Sequence, residues 1–280
     1  MSYKTILVHV NDERRVGQLV DVAAHIADRH EAHLVGLFVV PSALVGSVTH
    51  LGGRILQTGR QSFRDEAKRC AAAFETAAKG RAIVAEWRVV EPSSHHPGPA
   101  EAVIAHARAA DLIIASQSDE NWEYSLLFDF PERLAIESGR PTLIVPHAGR
   151  FPRFGRRAVV AWNGSREAAR AVFDAMPLLT EAEAVKILCV DQANRQAAAD
   201  TTPGADIAAA LARHGVKCDA TQSVTAGIEV GSDLLNRVAD FSADLLVMGC
   251  YGHSRFREFV LGGASREILR CMTVPVLMSH

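Results

Sequence analysis

From Gly249 to Glu267 the chain reads GCYGHSRFREFVLGGASRE, with Gly249, Gly252 and Gly262 spaced as G-x-x-G, nine residues, G. Glycines in such a pattern let backbone N–H groups approach an anion with no side chain between them, so the chemistry on offer is phosphate binding. Three arginines against two glutamates leave this stretch at +1. A helix opening after Gly262-Gly263 would add the partial positive charge of its N-terminus. The competing reading is a tight turn whose glycines serve the backbone alone.

Other reactive side chains carry weaker signals. Cys250 lies in sequence near His253 and Arg255, a setting that favours a thiolate sensor, but a free cysteine is more often a small buried hydrophobe and is read so here. His95-His96 are adjacent on a Ser/Pro-bounded stretch, point to opposite sides of an extended chain and read as a solvated loop. His9 reads as a packed or hydrogen-bonded core histidine, and Trp162 as a core aromatic of a strand. The chain has no G-x-x-x-x-G-K-[ST], no G-x-S-x-G and no H-E-x-x-H, so no catalytic residues and no metal ligands are assigned.

The elements that position the glycine segment recur along the chain. Asn11 and Asn163 each end a short apolar run, 152 residues apart; LVGLFVV from Leu34 pairs with AVKILCV from Ala184, 150 apart. Ala110-Asp111-Leu112-Ile113-Ile114 matches Ala243-Asp244-Leu245-Leu246-Val247 at an offset of 133, and Pro141-Thr142-Leu143-Ile144-Val145 matches Pro275-Val276-Leu277-Met278 at 134. The order is the same in both halves, which marks an internal duplication. Near-continuous apolar runs suit strands buried on both faces, and the segments between them are long enough for helical crossovers, giving two parallel α/β sheets. The fall in offset from 150 to 133 places extra residues in the first half, most simply in a Gly/Ser-rich loop from Pro41 to Gln61. A helix is expected over Ser62 to Lys79, where Phe63, Ala67, Cys70, Phe74 and Ala77 repeat at spacings of four and three. The expected domains are 1–149 and 156–280, joined by Phe151 to Gly155.

Totals limit the partners. The 280 residues are 48% hydrophobic and 22% charged, with 30 Lys+Arg against 32 Asp+Glu and a formal net charge of -2. No general attraction to nucleic acid or to an anionic membrane is expected. The opening MSYKTILVHVNDERR does not fit a secretory signal, and the apolar region Leu34 to Val48 is too short and too interrupted to span a bilayer, so a cytoplasmic protein is expected. Five cysteines without a C-x-x-C pair suggest reduced thiols.

In its place after the fourth strand of the second half, the glycine segment resembles the nucleotide loop of the universal stress protein A family, in which G-x-x-G, nine residues and G precede a Ser or Thr. The resemblance extends to AVVAWNGS, to the terminal VPVLMSH and, through the duplication, to nearly the whole chain, which looks like a tandem member. It implies strand order 3-2-1-4-5 in each domain, pairing of the two domains within the chain, a further homodimer, a protein partner not identified by sequence, and a role in the stress response. The implied ligand is ATP or another adenine nucleotide with magnesium as its companion. Residues carried over are Asn163 on the first strand, Met248, Gly249, Tyr251, Gly252 and His253 on the loop, and Gly262, Gly263, Ala264 and Ser265 at the helix start. Two positions depart from the pattern: Gly263 stands where a hydroxyl residue is usual, and Asn163 where nucleotide binders often carry Asp. Ser265 is the nearest hydroxyl left to compensate. The corresponding first-half segment, SQSDENWEYSLLFDFPERL, has no glycine and a net charge of -4, so at most one nucleotide per chain is expected, in the second half. Rival readings are a nucleotide-free module binding a protein or an apolar molecule through the first half, and a slow ATP-hydrolysing enzyme.

Overall fold

The computed structural model describes residues 2–41, 53–91, 98–122, 124–190, 203–225, 227–250 and 263–280, the side chains of 53–60, 126 and 127 not being among them. The chain divides into two compact units, Ser2–Pro152 and Arg153–His280.

In the first unit, β1 (Thr5–His9), β2 (His33–Val39), β3 (Val84–Val90), β4 (Leu112–Ser116) and β5 (Thr142–Val145) form parallel strands in the order β3-β2-β1-β4-β5. The connections run through α1 (Glu13–His30), α2 (Gly53–Ala78), α3 (Pro99–Ala107) and the short α4 (Ser125–Phe128) and α5 (Pro131–Glu137). In the second, β6 (Arg157–Ala161), β7 (Ala184–Val190), β8 (Cys218–Ser223), β9 (Leu245–Gly249) and β10 (Val276–Ser279) repeat that order as β8-β7-β6-β9-β10. Their helices are α6 (Arg166–Asp174), α7 (Met176–Leu179), α8 (Ala205–Arg213), α9 (Val230–Asp240) and α10 (Gly263–Cys271). Strand order 3-2-1-4-5 therefore holds in both halves.

The residues dictate these elements in a direct way. β4 is LIIAS and every position is buried, as a central strand covered on both faces requires. α1 buries Val16, Leu19, Val20, Ala23, Ala24, Ile26 and Ala27, the three-and-four spacing of one helical stripe. It starts where the Asp12 carboxylate accepts the Arg14 N–H and stops at Glu31, which adopts φ 52.

The repeated Asp and Pro positions have a shared physical role. Asp111 accepts the N–H groups of Lys4 (2.8 Å) and Thr5 (3.0 Å), and Asp244 accepts those of Arg157 (2.9 Å) and Arg156 (3.2 Å). In each half a carboxylate thus holds the start of the first strand beside the fourth. The Pro141 carbonyl accepts Ile113 N–H and the Pro275 carbonyl accepts Leu246 N–H, both at 3.0 Å. Proline there costs no ladder bond, because only its carbonyl is used.

One expectation is corrected. The extra length of the first half is helix: α2 begins at Gly53, so residues 53–61 belong to it and not to a Gly/Ser-rich loop. Its 26 residues face nine in α8, and the connections before the two helices are nearly equal in length. Glycine and serine in the sequence masked a helix that its apolar stripe supports, with Ala67, Cys70 and Phe74 buried. Residues 42–52 of the expected loop lie outside the described residues, as do His95 and His96. Among the described residues no helix is long and apolar enough to cross a membrane.

Candidate functional site

In the second half, the register pairs Ala161 of β6 with Met248 of β9, and Gly249 of β9 with Ser279 of β10. Asn163 therefore leaves the sheet beside Gly249, at the carboxyl ends of the two strands, where open parallel sheets bind ligands. Asn163 is exposed. Its Oδ1 accepts the Ser165 N–H at 3.0 Å, and Ser165 in turn caps α6 by accepting the Ala168 N–H at 3.1 Å. Gly164 between them has φ 72, a left-handed conformation that favours glycine. The Asn163 Nδ2 group has no hydrogen-bond partner among the described residues and remains available to a ligand.

Gly249 has a packing reason to be glycine. A Cβ there would lie 2.4 Å from the Glu167 carbonyl carbon and 2.5 Å from the Ala168 nitrogen, both backbone atoms of α6. Close helix-to-strand approach sets this residue whether or not an anion binds. Met248 is 5% exposed and packs within the sheet core. Cys250 donates its N–H to Ser279 O at 2.9 Å and is buried. Burial pushes its thiol up to about 12, which fits the reading as an inert thiol.

α10 carries three further residues of the set, Gly263, Ala264 and Ser265. Gly263 is exposed, and a Cβ added to it would meet nothing within 4 Å. As in any helix, the first N–H groups of this nine-residue element have no partner within the helix itself. Ser265 belongs to the packed side of the helix with Ile268 and Leu269, so it is not the exposed hydroxyl that Gly263 lacks; Ala264 is half-buried beside it, its carbonyl near Gly231 of α9. Tyr251, Gly252, His253 and Gly262 lie outside the described residues. Of the ten residues singled out by sequence, the fold brings Asn163, Met248 and Gly249 together on adjacent strand ends and sets Gly263, Ala264 and Ser265 on α10.

Trp162 differs from expectation. It is half-buried and lies one residue past β6, its N–H donated to Leu188 O at 2.9 Å. The strand ends at Ala161, so Trp162 sits at the mouth of the cleft and not in the core.

The equivalent cleft of the first half is filled by its own side chains. Asn11 is 3% exposed and Arg15 5% exposed. Asp129, whose side chain is fully buried, accepts from Arg15 Nη1 at 3.0 Å and from Asn11 Nδ2 at 2.8 Å through Oδ1. Its Oδ2 accepts from the Asp119 N–H at 2.8 Å and from Ser125 Oγ at 2.9 Å. Arg15 also reaches Asp119 Oδ2 at 3.5 Å and lies over the Trp122 ring, 5.0 Å from its centroid. Counting charge within residues 116–134 alone missed this arginine, which comes from α1. The available signal was its position four residues after Asn11. His9 stacks on Phe130 at 4.8 Å, and burial, then the charge of Arg15, lowers its pKa to about 3, so it is a neutral core residue.

The universal stress protein family model matches residues 2–146 and again 155–280. A universal stress protein of Archaeoglobus fulgidus DSM 4304 has the same fold, with a TM-score of 0.70 at 17% identity over 98% of this chain and 95% of that one. The PA1789 protein of Pseudomonas aeruginosa PAO1 superposes with a TM-score of 0.59 at 15% identity, covering 99% of this chain and 92% of its own. In sequence, universal stress protein Slr1230 of Synechocystis is 47% identical over 38 residues, which is 14% of this chain and 13% of that relative's length. Two matched domains spanning nearly all 280 residues, each folded in strand order 3-2-1-4-5, make this chain a tandem member of the universal stress protein family.

Proposed function

We propose that this protein is a stress-response binding module that holds one adenine nucleotide, ATP or a related one, in its C-terminal half. The observation that carries the reading is the contrast between two related asparagines. Asn11 is buried and bonded to the chain's own carboxylate, whereas Asn163 is exposed with its amide free among the described residues, beside the strand end of Gly249.

On this reading Asn163 donates to the nucleoside, and Gly249, Gly252 and Gly262 admit the phosphates, which end at the N–H groups of Gly263, Ala264 and Ser265. Tyr251 and His253 flank the nucleotide on the glycine segment, with Met248 forming the floor. Asn163 carries no charge, so magnesium would be held by the phosphates and not by this side chain. ATP hydrolysis, where it occurs, is slow and acts as a timer of occupancy. A cytoplasmic location and a homodimer belong to the same proposal. The test is to denature the purified protein and identify what it releases, with a thermal shift in added ATP, ADP and AMP. Adenine nucleotide in the supernatant, or a saturable shift, supports the reading. Neither would favour the nucleotide-free interaction module.

A further inference from the structure

The first half carries four convergent donors on one buried carboxylate, which is more than an ion pair needs. At the offset of 133 that relates Asp111 to Asp244, Asp129 falls on Gly262, the last glycine of the second half's loop. A carboxylate therefore stands in the first half where the second half has a residue without a side chain. Its two oxygens receive Arg15 Nη1, Asn11 Nδ2, the Asp119 N–H and Ser125 Oγ, all within 2.8–3.0 Å. A guanidinium, an amide, a hydroxyl and a main-chain N–H converging on one group are the donor set of an oxyanion site.

We infer that the first half contains an oxyanion site occupied by the chain's own Asp129 carboxylate, an internal ligand that closes this half to external phosphate. Two further buried atoms favour an oxyanion site over a simple ion pair. Arg15 Nη2 and Asn11 Oδ1 are buried and make no hydrogen bond, although buried polar groups normally find partners. Arg15 Nη2 has only the long contact to Asp119 Oδ2 at 3.5 Å, and the Asp129 carboxylate, already holding four donors, has no oxygen left for it. A tetrahedral phosphate has more oxygens, and its protonated oxygen can donate to Asn11 Oδ1. The inference is independent of the nucleotide reading of the second half, because every group in it belongs to residues 11–129.

The experiment removes the internal ligand from the full-length chain and supplies inorganic phosphate at constant ionic strength, with chloride as the balancing anion. Amide exchange of residues 13–30 and 117–131 reports the first half separately from the second. In Asp129→Ala, phosphate is expected to slow exchange there saturably, with an apparent affinity at least tenfold above the wild type. Adding Arg15→Met should abolish the effect. Where Asp129→Ala does not fold at any phosphate concentration, Asp129→Gly carries the test, since it also empties the position and is the residue found at the matching place in the second half, Gly262. The inference is overturned by equal phosphate response in wild type and variant, by no saturable response in the variant that folds, or by a response that survives Arg15→Met.

Discussion

Gly263→Ser restores the hydroxyl that the resemblance leads one to expect, and its effect can be worked from the local geometry. Gly263 is exposed, its φ is outside the left-handed range, and a Cβ meets nothing within 4 Å, so serine enters without strain. Serine also fits a helix better than glycine by about half a kcal/mol, which stabilises the start of α10. A hydrogen bond to a charged phosphate is worth about 1.5–3 kcal/mol. Solvent at this exposed position favours the lower end, and about 1.4 kcal/mol corresponds to about tenfold in affinity. Calorimetric titration with ATP should therefore show about tenfold tighter binding by Gly263→Ser than by wild type. Gly263→Ala supplies the same Cβ and a larger helix gain, about 1 kcal/mol, without the hydroxyl, and should bind within about twofold of wild type, since it adds no phosphate donor. Equal affinities for the serine and alanine variants would refute the placement of a phosphate at this helix start.

Other perturbations test the packing around both clefts. Gly249→Ala forces a Cβ against the backbone of α6, 2.4 Å from the Glu167 carbonyl carbon. An overpacking cost of about 1–3 kcal/mol should lower the melting temperature by about 5–10 °C in calorimetry with no ligand present; an unchanged midpoint would mean that α6 and β9 do not approach this closely. Among the cysteines, Cys271 is exposed while Cys70, Cys189 and Cys250 are buried. A disulfide reagent at neutral pH should modify Cys271 first, and Cys250, its thiol pushed up to about 12, should react only on unfolding. Peptide mapping after a short exposure checks the order. His9 stays neutral in the fold down to about pH 3, whereas an unfolded histidine binds its proton near pH 6.5. The unfolded state therefore holds more protons between those values, and stability falls as pH drops through them, by up to about 1.4 kcal/mol per unit. His9→Phe, which keeps the stack on Phe130, should flatten the pH dependence of urea unfolding in that window.

Much of this architecture can be read from sequence because it is written in periodicity and repetition. Asp111 and Asp244, and Pro141 and Pro275, recur because each performs the same backbone task in its half. The length of α2 was hidden because Gly53, Thr58 and Gly59 are weak helix formers, and the buried stripe of Ala67, Cys70 and Phe74 lies further along the helix. The first-half cleft was legible only in outline. Residues 116–134 advertise their acidity, but the arginine that neutralises it stands a hundred residues earlier, and nothing in local spacing joins the two. Cys250 shows the converse: neighbours in sequence suggested activation, and burial beneath Ser279 decides against it.

The central claim is one nucleotide per chain, in the second half. Calorimetric titration of the full-length protein with ATP, joined to amide exchange on the saturated complex, measures stoichiometry and location together. One equivalent per chain is expected, with protection at residues 161–165 and 249–265 and none at 116–134. Absence of saturable binding, two equivalents per chain, or protection confined to the first half would contradict it.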